Sequence, residues 1–310
     1  MSHDFTSIDR TPDHPVDPTV DPTIDPAIDP AFVFDFRTYD EVGEGQRWST
    51  WLSVEPLCRG PEPRPDWLVT SQAAVDTELG VLKTGKEADA FLLERAVPGS
   101  PPPDEGGLGE SVVMVAKRYR GEEHRDFHRS SAYTAGRKVR NTRDNRAMAK
   151  KSAHGRAVAA GQWAWAEWQA LVRCHELGLA VPYPVQIDGT ELLMEWITVE
   201  GEDGVETAPR LAQVRPDRPL LASYFEQVRE FLAELARNGM VHGDLSAYNI
   251  LAAGDRLVVI DLPQTLDLVG NPSGPDFLLR DCTNVCTWFR ARGLEVDEQE
   301  LFGDLMVHAF

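Results

Sequence analysis

Long apolar runs are missing from this 310-residue sequence. None approaches the roughly 20 residues that a bilayer-spanning helix needs, so no membrane anchor is expected. The opening MSHDFTSIDR has neither a basic start nor an apolar stretch, so no signal peptide is expected either, and the expected location is cytoplasmic. Cysteine is scarce: Cys58, Cys174, Cys282 and Cys286 are scattered and show no CxxC spacing. That excludes a disulfide framework or zinc site and leaves free thiols in or near a core. Basic residues are outnumbered, 31 against 50 acidic ones, for a formal charge of −19. Diffuse binding to polyanions is therefore disfavoured on average, although a local basic segment can override the average. Apolar residues are not lacking. At 42% they suffice for a core, and the length suits two domains or two lobes.

Residues 16–31 read VDPTVDPTIDPAIDPA, with proline every fourth residue. Each proline removes a backbone donor and restricts the residue before it, so neither helix nor sheet ladder propagates. Residues 1–60 are expected to be a disordered acidic tail. Residues 1–30 hold seven Asp and one Arg, which also suits a docking or autoinhibitory segment.

Order is expected from about residue 66, where DWLVTSQAAVDTELG combines apolar spacing with helix formers and ends at Gly80. Two short apolar runs, 80–82 and 90–93, flank Lys83-Thr84-Gly85-Lys86-Glu87 and read as strand, phosphate-facing turn and strand. Residues 98–110 form a loop by composition, and 112–119 read as a buried strand with Lys117 near its end. Residues 120–180 favour helix. Within them, 137–156 carry eight Lys or Arg and one Asp, either a solvated helical face or a contact for RNA, an acidic partner or substrate. Trp165, Trp168, Leu171, Val172 and His175 have helical spacing, with Gly178 placed to close the helix. A hairpin over 185–197 and a helix over 220–238 follow.

The chemistry lies in Val241-His242-Gly243-Asp244-Leu245-Ser246-Ala247-Tyr248-Asn249-Ile250-Leu251, followed by the strand Leu257–Ile260 and Asp261. Phosphoryl transfer needs metal ions on the phosphates, a group positioning the nucleophile and a cation on the phosphate oxygens. Asn249 and Asp261 supply oxygen donors suited to Mg²⁺, and Asp244 is placed to orient the attacking hydroxyl. The spacing HxDxxxxN, then an apolar strand and Asp, is a protein-kinase catalytic loop with Gly243 where Arg is usual. Lys117 upstream and Glu167 on a helix complete the set.

These residues resemble the RIO atypical protein kinases. The turn at 83–89 is similar to the RIO phosphate loop STGKEA. Further similar segments are Ala116-Lys117, Trp165-Ala166-Glu167, Met194-Glu195-Trp196-Ile197, Ala208-Pro209-Arg210-Leu211, the DLSxYN form of the catalytic loop, Ile260-Asp261-Leu262-Pro263-Gln264 and the run 277–285. The resemblance covers about 75–305 and is nearest the bacterial branch. It implies that Lys117 holds the ATP phosphates and pairs with Glu167, and that Thr84, Gly85, Lys86 and Glu87 surround the phosphates. Backbone at Glu195 and Ile197 would hold adenine, Asp244 would be the catalytic carboxylate, and Asn249 and Asp261 would bind Mg²⁺, or Mn²⁺ in its place. Ser246 would close the loop or accept phosphate. Lys83 and Asp89 depart from the family pattern, and so does Pro263, which lacks a donor just after the metal-binding Asp.

The implied fold is α+β and two-lobed, protein-kinase-like: a small β-sheet N-lobe over 61–197 with a basic helical insertion at 120–160, and a reduced, mostly helical C-lobe over 198–310. The expected activity is ATP-dependent phosphorylation of Ser or Thr on an unidentified protein or on the chain itself. Two alternatives are an ATPase switch binding an RNA or ribosomal assembly, in which Asp261 takes the phosphoryl group, and a small-molecule phosphotransferase.

Overall fold

A computed structural model describes residues 42–99, 111–120, 153–202 and 204–309. Most of the expected tail, 1–41, and most of the basic stretch, 137–152, lie outside the described residues.

Strands β1 (Gln46–Trp48), β2 (Val75–Thr84), β3 (Ala88–Ala96), β4 (Ser111–Tyr119), β5 (Pro184–Asp188) and β6 (Glu191–Glu195) form one antiparallel sheet in the order β1-β2-β3-β4-β6-β5. Side chains alternate across a strand, and β4 shows what this achieves. Met114 and Ala116 enter a small core with Trp51, Leu93, Tyr183, Val185 and Leu193. Val115, Lys117 and Tyr119 take the opposite face, toward the functional cleft.

Helix α1 (Ala153–Glu176) packs on that face through Ala160, Ala164, Trp168 and Leu171, spaced one turn apart. Trp165, expected on the buried stripe, is instead 39% exposed. Gly178 closes the helix as expected, at φ +73°, with Leu179 N–H donating to Cys174 O at 3.0 Å.

The second lobe follows a hairpin of β7 (Thr198–Gly201) and β8 (Gly204–Thr207). Its helices are α2 (Arg218–Arg237), α3 (Gly274–Arg290) and α4 (Glu298–Ala309). Asp217 caps α2 by accepting from Leu220 N–H at 3.0 Å, with Pro219 in the first turn. Leu221, Tyr224, Val228, Phe231, Leu232 and Leu235 make its buried stripe. Short antiparallel pairs, β9 (Met240–Val241) with β12 (Leu266–Asp267) and β10 (Ile250–Ala253) with β11 (Arg256–Val259), carry the polar loops. This is the expected two-lobed α+β architecture. All four cysteines are free thiols, and Cys174, Cys282 and Cys286 are buried.

Two expectations need correction. Order begins before residue 60: β1 pairs with β2 through Gln46↔Thr77, and Trp51 is 2% exposed beneath the guanidinium groups of Arg59 and Arg64. The segment 66–80 does not end as a helix at Gly80. Strand β2 runs through that residue, which has φ +138° and sits where the β2–β3 register shifts, so the glycine marks a bulge.

Candidate active site

A cleft of about 610 Å³ lies between the sheet and the helical lobe. Leu82, Ala90 and Val115 line it from the sheet, and Leu251 and Ile260 from the other side, making an apolar slot for a flat ring. The connecting segment edges this slot. Glu195 N–H donates to Tyr183 O and its carboxylate accepts from Tyr183 N–H, both at 2.9 Å. Ile197 O accepts from Ala208 N–H at 2.9 Å, while Ile197 N–H has no partner among the described residues.

The turn after β2 also faces the cleft through Lys83, Gly85, Lys86 and Glu87. Its tightness requires glycine, because a Cβ on residue 85 would stand 2.6 Å from Ala88 O. Thr84 does not line the cleft; its hydroxyl bonds Asp89, which also pairs with Arg120. Asp89 therefore clamps the base of the turn. Burial, and then the charge of Asp261, pushes the Glu87 carboxyl up.

Lys117 Nζ lies 2.7 Å from Glu167 Oε1 on α1 and 2.7 Å from Asp261 Oδ1. Tyr119, on the same face of β4, donates its hydroxyl to Glu167 Oε2. Burial alone would lower the Lys117 pKa, but the carboxylates of Asp261 and Glu167 outweigh it and hold the ammonium well above its ordinary value. Lys117 in turn keeps Asp261 low. The cation thus has one buried partner, Glu167, 1% exposed, and one partner open to solvent, the Asp261 side chain, 48% exposed.

The catalytic loop is held largely through its backbone. Gly243 has φ +84°, a conformation glycine adopts without penalty, which accounts for His-Gly-Asp here. Asp281 of α3, 0% exposed, accepts from Gly243 N–H and Leu245 N–H at 2.8 Å each. Burial pushes its carboxyl up to about 7, against the pull of the two N–H groups. Asn284 donates to Leu245 O at 3.1 Å, and the main-chain Ser246 O accepts from Asn249 N–H at 2.9 Å. His242 is fully buried, and that burial lowers its pKa to about 4, so the ring is neutral near pH 7 and accepts from Asp244 N–H at 3.3 Å.

The Asp244 side chain faces the cleft, with Gln264 Nε2 3.4 Å from Oδ2 and Arg280 Nη2 3.8 Å from Oδ1. Behind it, Asn249 Nδ2 donates to Asp244 O at 2.8 Å, leaving its amide oxygen as an available donor atom, and Asn249 O accepts from Ile260 N–H at 2.8 Å. Asn249 thus lies beside Asp261, although it does not itself line the cleft. One amide oxygen and one carboxylate fit Mg²⁺, which takes one or two protein ligands beside phosphate oxygens and water. Asp261 has φ +68°, a strained backbone of the kind found at functional sites. Pro263 occupies the second position of a turn closed by Thr265 N–H to Leu262 O at 3.1 Å, where no donor is needed.

Residues 114–301 match the model of the RIO domain family. A RIO-type serine/threonine-protein kinase Rio1 of Haloferax volcanii is 33% identical over 228 residues, covering 74% of this chain and 68% of that protein. This chain belongs to the RIO family. The Rio1 of Methanocaldococcus jannaschii is 28% identical over 225 residues, covering 72% of this RIO chain and 67% of its own length. In fold, the chain is similar to the Rio2 kinase of Chaetomium thermophilum, solved as an ADP/Mg²⁺-phosphoaspartate complex, with TM-score 0.50 and 19% identity over 74% of this chain and 62% of that one.

The RIO chain therefore brings Gly85, Lys86, Glu87, Lys117, Glu167, Glu195, Ile197, Asp244 and Asp261 to one cleft, with Asn249 just behind and Thr84 outside. Tyr119, Asp281, Gln264 and Arg280 were not assigned roles from sequence. Tyr119 was signalled by its position two residues beyond Lys117, on the same strand face. Asp281 was signalled by lying one turn from Phe277 and one from Val285, a carboxylate on an apolar helix stripe.

Proposed function

We propose that the cleft binds ATP with Mg²⁺ and that Asp244 directs the hydroxyl of a serine or threonine onto the γ-phosphorus. The chain is an ATP-dependent protein kinase of RIO type. What supports the residue roles is the convergence of Lys117, Asp244 and Asp261 on one cleft that also offers an apolar slot. In this reading the acceptor oxygen forms a bond to the γ-phosphorus as the bond to the β,γ-bridging oxygen breaks. ADP leaves and Asp244 takes the hydroxyl proton. Lys117 and Lys86 hold phosphate oxygens, the amides of the 83–87 turn add partial positive charge, and Ile197 N–H and Glu195 O meet the base edge. Asn249 and Asp261 hold Mg²⁺, which offsets negative charge on the phosphates, and Mn²⁺ suits the same oxygen donors. The acceptor is an unidentified protein or the chain itself. An RNA or acidic partner at 137–156 and a cytoplasmic location remain part of this proposal. Among the described residues no helix is long and apolar enough to cross a membrane.

A second reading, an ATPase switch in which Asp261 accepts the phosphoryl group, draws on the half-exposed Asp261 carboxylate. The Rio2 kinase of Chaetomium thermophilum carries a phosphoaspartate in its ADP/Mg²⁺ complex. Incubation with γ-labelled ATP and Mg²⁺ separates the two. Acid-stable label on serine or threonine is expected, lost in Asp244→Asn while ATP binding persists. Label surviving in Asp244→Asn would remove Asp244 from the catalytic role.

A further inference from the structure

Arginine is used in two ways on this molecule. In the sheet Arg47, Arg95, Arg118 and Arg120 pair with carboxylates, as do Arg229, Arg237 and Arg290 on the helices. Others do not, among them Arg59 and Arg173, which bond only carbonyl or amide oxygens, and Arg210, Arg215 and Arg292, although the chain has 50 acidic residues against 31 basic ones. Among the described residues none of these last three has a carboxylate within ion-pair distance, although Arg210 lines the cleft and its charge helps to keep Asp261 low.

Arg210, Arg215 and Arg292 flank the short helical turn Leu211–Gln213: Arg210 precedes it, at the edge of the cleft, Arg215 follows it and Arg292 packs against it. This turn is bonded to the catalytic loop: Ala212 N–H donates to Ala247 O at 2.9 Å, and Arg210 donates to Tyr248 O. From the other side Arg292 Nη2 donates to Ala212 O at 3.3 Å, with its guanidinium 3.7 Å from the centroid of the Trp288 ring. Arg215 is exposed, and its charge adds to burial in lowering the Arg292 pKa, so the two cations share a neighbourhood. The acid nearest in sequence, Asp217, is engaged in capping α2. Tyr248, the residue before the Asn249 that backs Asp244, is 64% exposed.

We propose that this turn is the docking surface for the substrate, and that it selects a serine or threonine flanked by acidic residues. The inference rests on the reading of the cleft as a Ser/Thr protein kinase. Arg215 and Arg292 receive the flanking carboxylates, and Tyr248 packs against the peptide as it enters toward Asp244. Guanidinium groups suit carboxylates in a fork geometry, and Arg292 is preorganised by its stacking on Trp288. A peptide fits better than a nucleic acid, because the three cations stand in a strongly acidic chain and nucleic-acid affinity comes from many phosphate contacts.

The test uses the full chain, γ-labelled ATP with Mg²⁺, and a Ser/Thr peptide library whose flanking positions are acidic, neutral or basic. Acidic flanks are expected to be preferred, less so at high salt. Arg215→Glu, at an exposed site that tolerates substitution, is expected to raise KM for the acidic peptide about tenfold with KM for ATP unchanged. Arg292→Gln should move KM in the same direction. Labelling without acidic preference, or unchanged peptide KM in both variants, would overturn the docking surface and leave the kinase reading standing. Loss of peptide labelling on addition of single-stranded RNA, with ATP hydrolysis intact, would reassign the turn to nucleic acid. No label on any peptide or on the protein itself would overturn both.

Discussion

On the sheet side of the cleft Lys117 is aimed by side chains, Glu167 and Tyr119, whereas on the helical side Asp244 is aimed through its backbone, by Asp281 gripping Gly243 and Leu245. The first arrangement is an ionic network with an exchangeable member. Asp261 is bonded to Lys117 here and is also the carboxylate proposed to hold the metal; in that proposal phosphate takes its place on Lys117 while Glu167 stays. The second arrangement has no exchangeable member, since both oxygens of Asp281 are occupied by fixed N–H groups. One wall can redistribute charge while the other keeps the position of Asp244 constant.

The contrast is open to attack from both sides. The largest effect is expected from Lys117→Ala, which removes the phosphate cation and leaves Glu167 buried without it. Phosphoryl transfer should fall by about a hundredfold or more in kcat/KM, measured with varied ATP. Next comes Asp281→Ala, which strands two buried N–H groups at about 1–3 kcal/mol each. Thermal melting should show that loss, and kcat should fall further than KM for ATP moves, because the loop and not the nucleotide slot is released.

The pH dependence of stability is expected to be smaller. Asp281 titrates near 7 when folded against an ordinary 3.8, so the folded chain binds the extra proton between those values. Its contribution is complete below about pH 4 and is lost as pH rises through 7, on the order of 1–3 kcal/mol. Urea unfolding from pH 4.5 to 8 should therefore show wild type losing stability relative to Asp281→Asn. The smallest effect belongs to Tyr119→Phe, which deletes one hydrogen bond to Glu167 and should weaken ATP binding about fivefold, equivalent to about 1 kcal/mol, with kcat little changed. A large kcat loss in Tyr119→Phe would mean that the sheet wall, too, sets the geometry of transfer.

Much of this site was legible because its parts are local. The apolar run 112–119 marks β4 with Lys117 near its end, the run from His242 to Asn249 is contiguous, and the turn at Gly85 is set by a close approach to Ala88. What escaped was non-local or ambiguous. Strand β1 has three residues and gains its identity only from pairing with β2, some thirty residues on. Gly80 reads equally as a helix end and as a bulge until the partner strand is known. Trp165 obeys helical spacing, yet the sheet covers the stripe through Ala164 and Trp168, so it faces outward. Thr84 looked like a phosphate ligand by position and proves to brace Asp89, a residue that had seemed only a departure from the family pattern.

The most direct test of the account is a single turnover of the wild-type chain with γ-labelled ATP and Mg²⁺, quenched over time and separated into acid-stable ester, acid-labile acyl phosphate and free phosphate. Label passing from ATP to serine or threonine ester, without prior accumulation on Asp261, is the expected result. Transient acyl phosphate followed by free phosphate, abolished in Asp261→Asn, would contradict the kinase assignment of Asp244 and establish the switch.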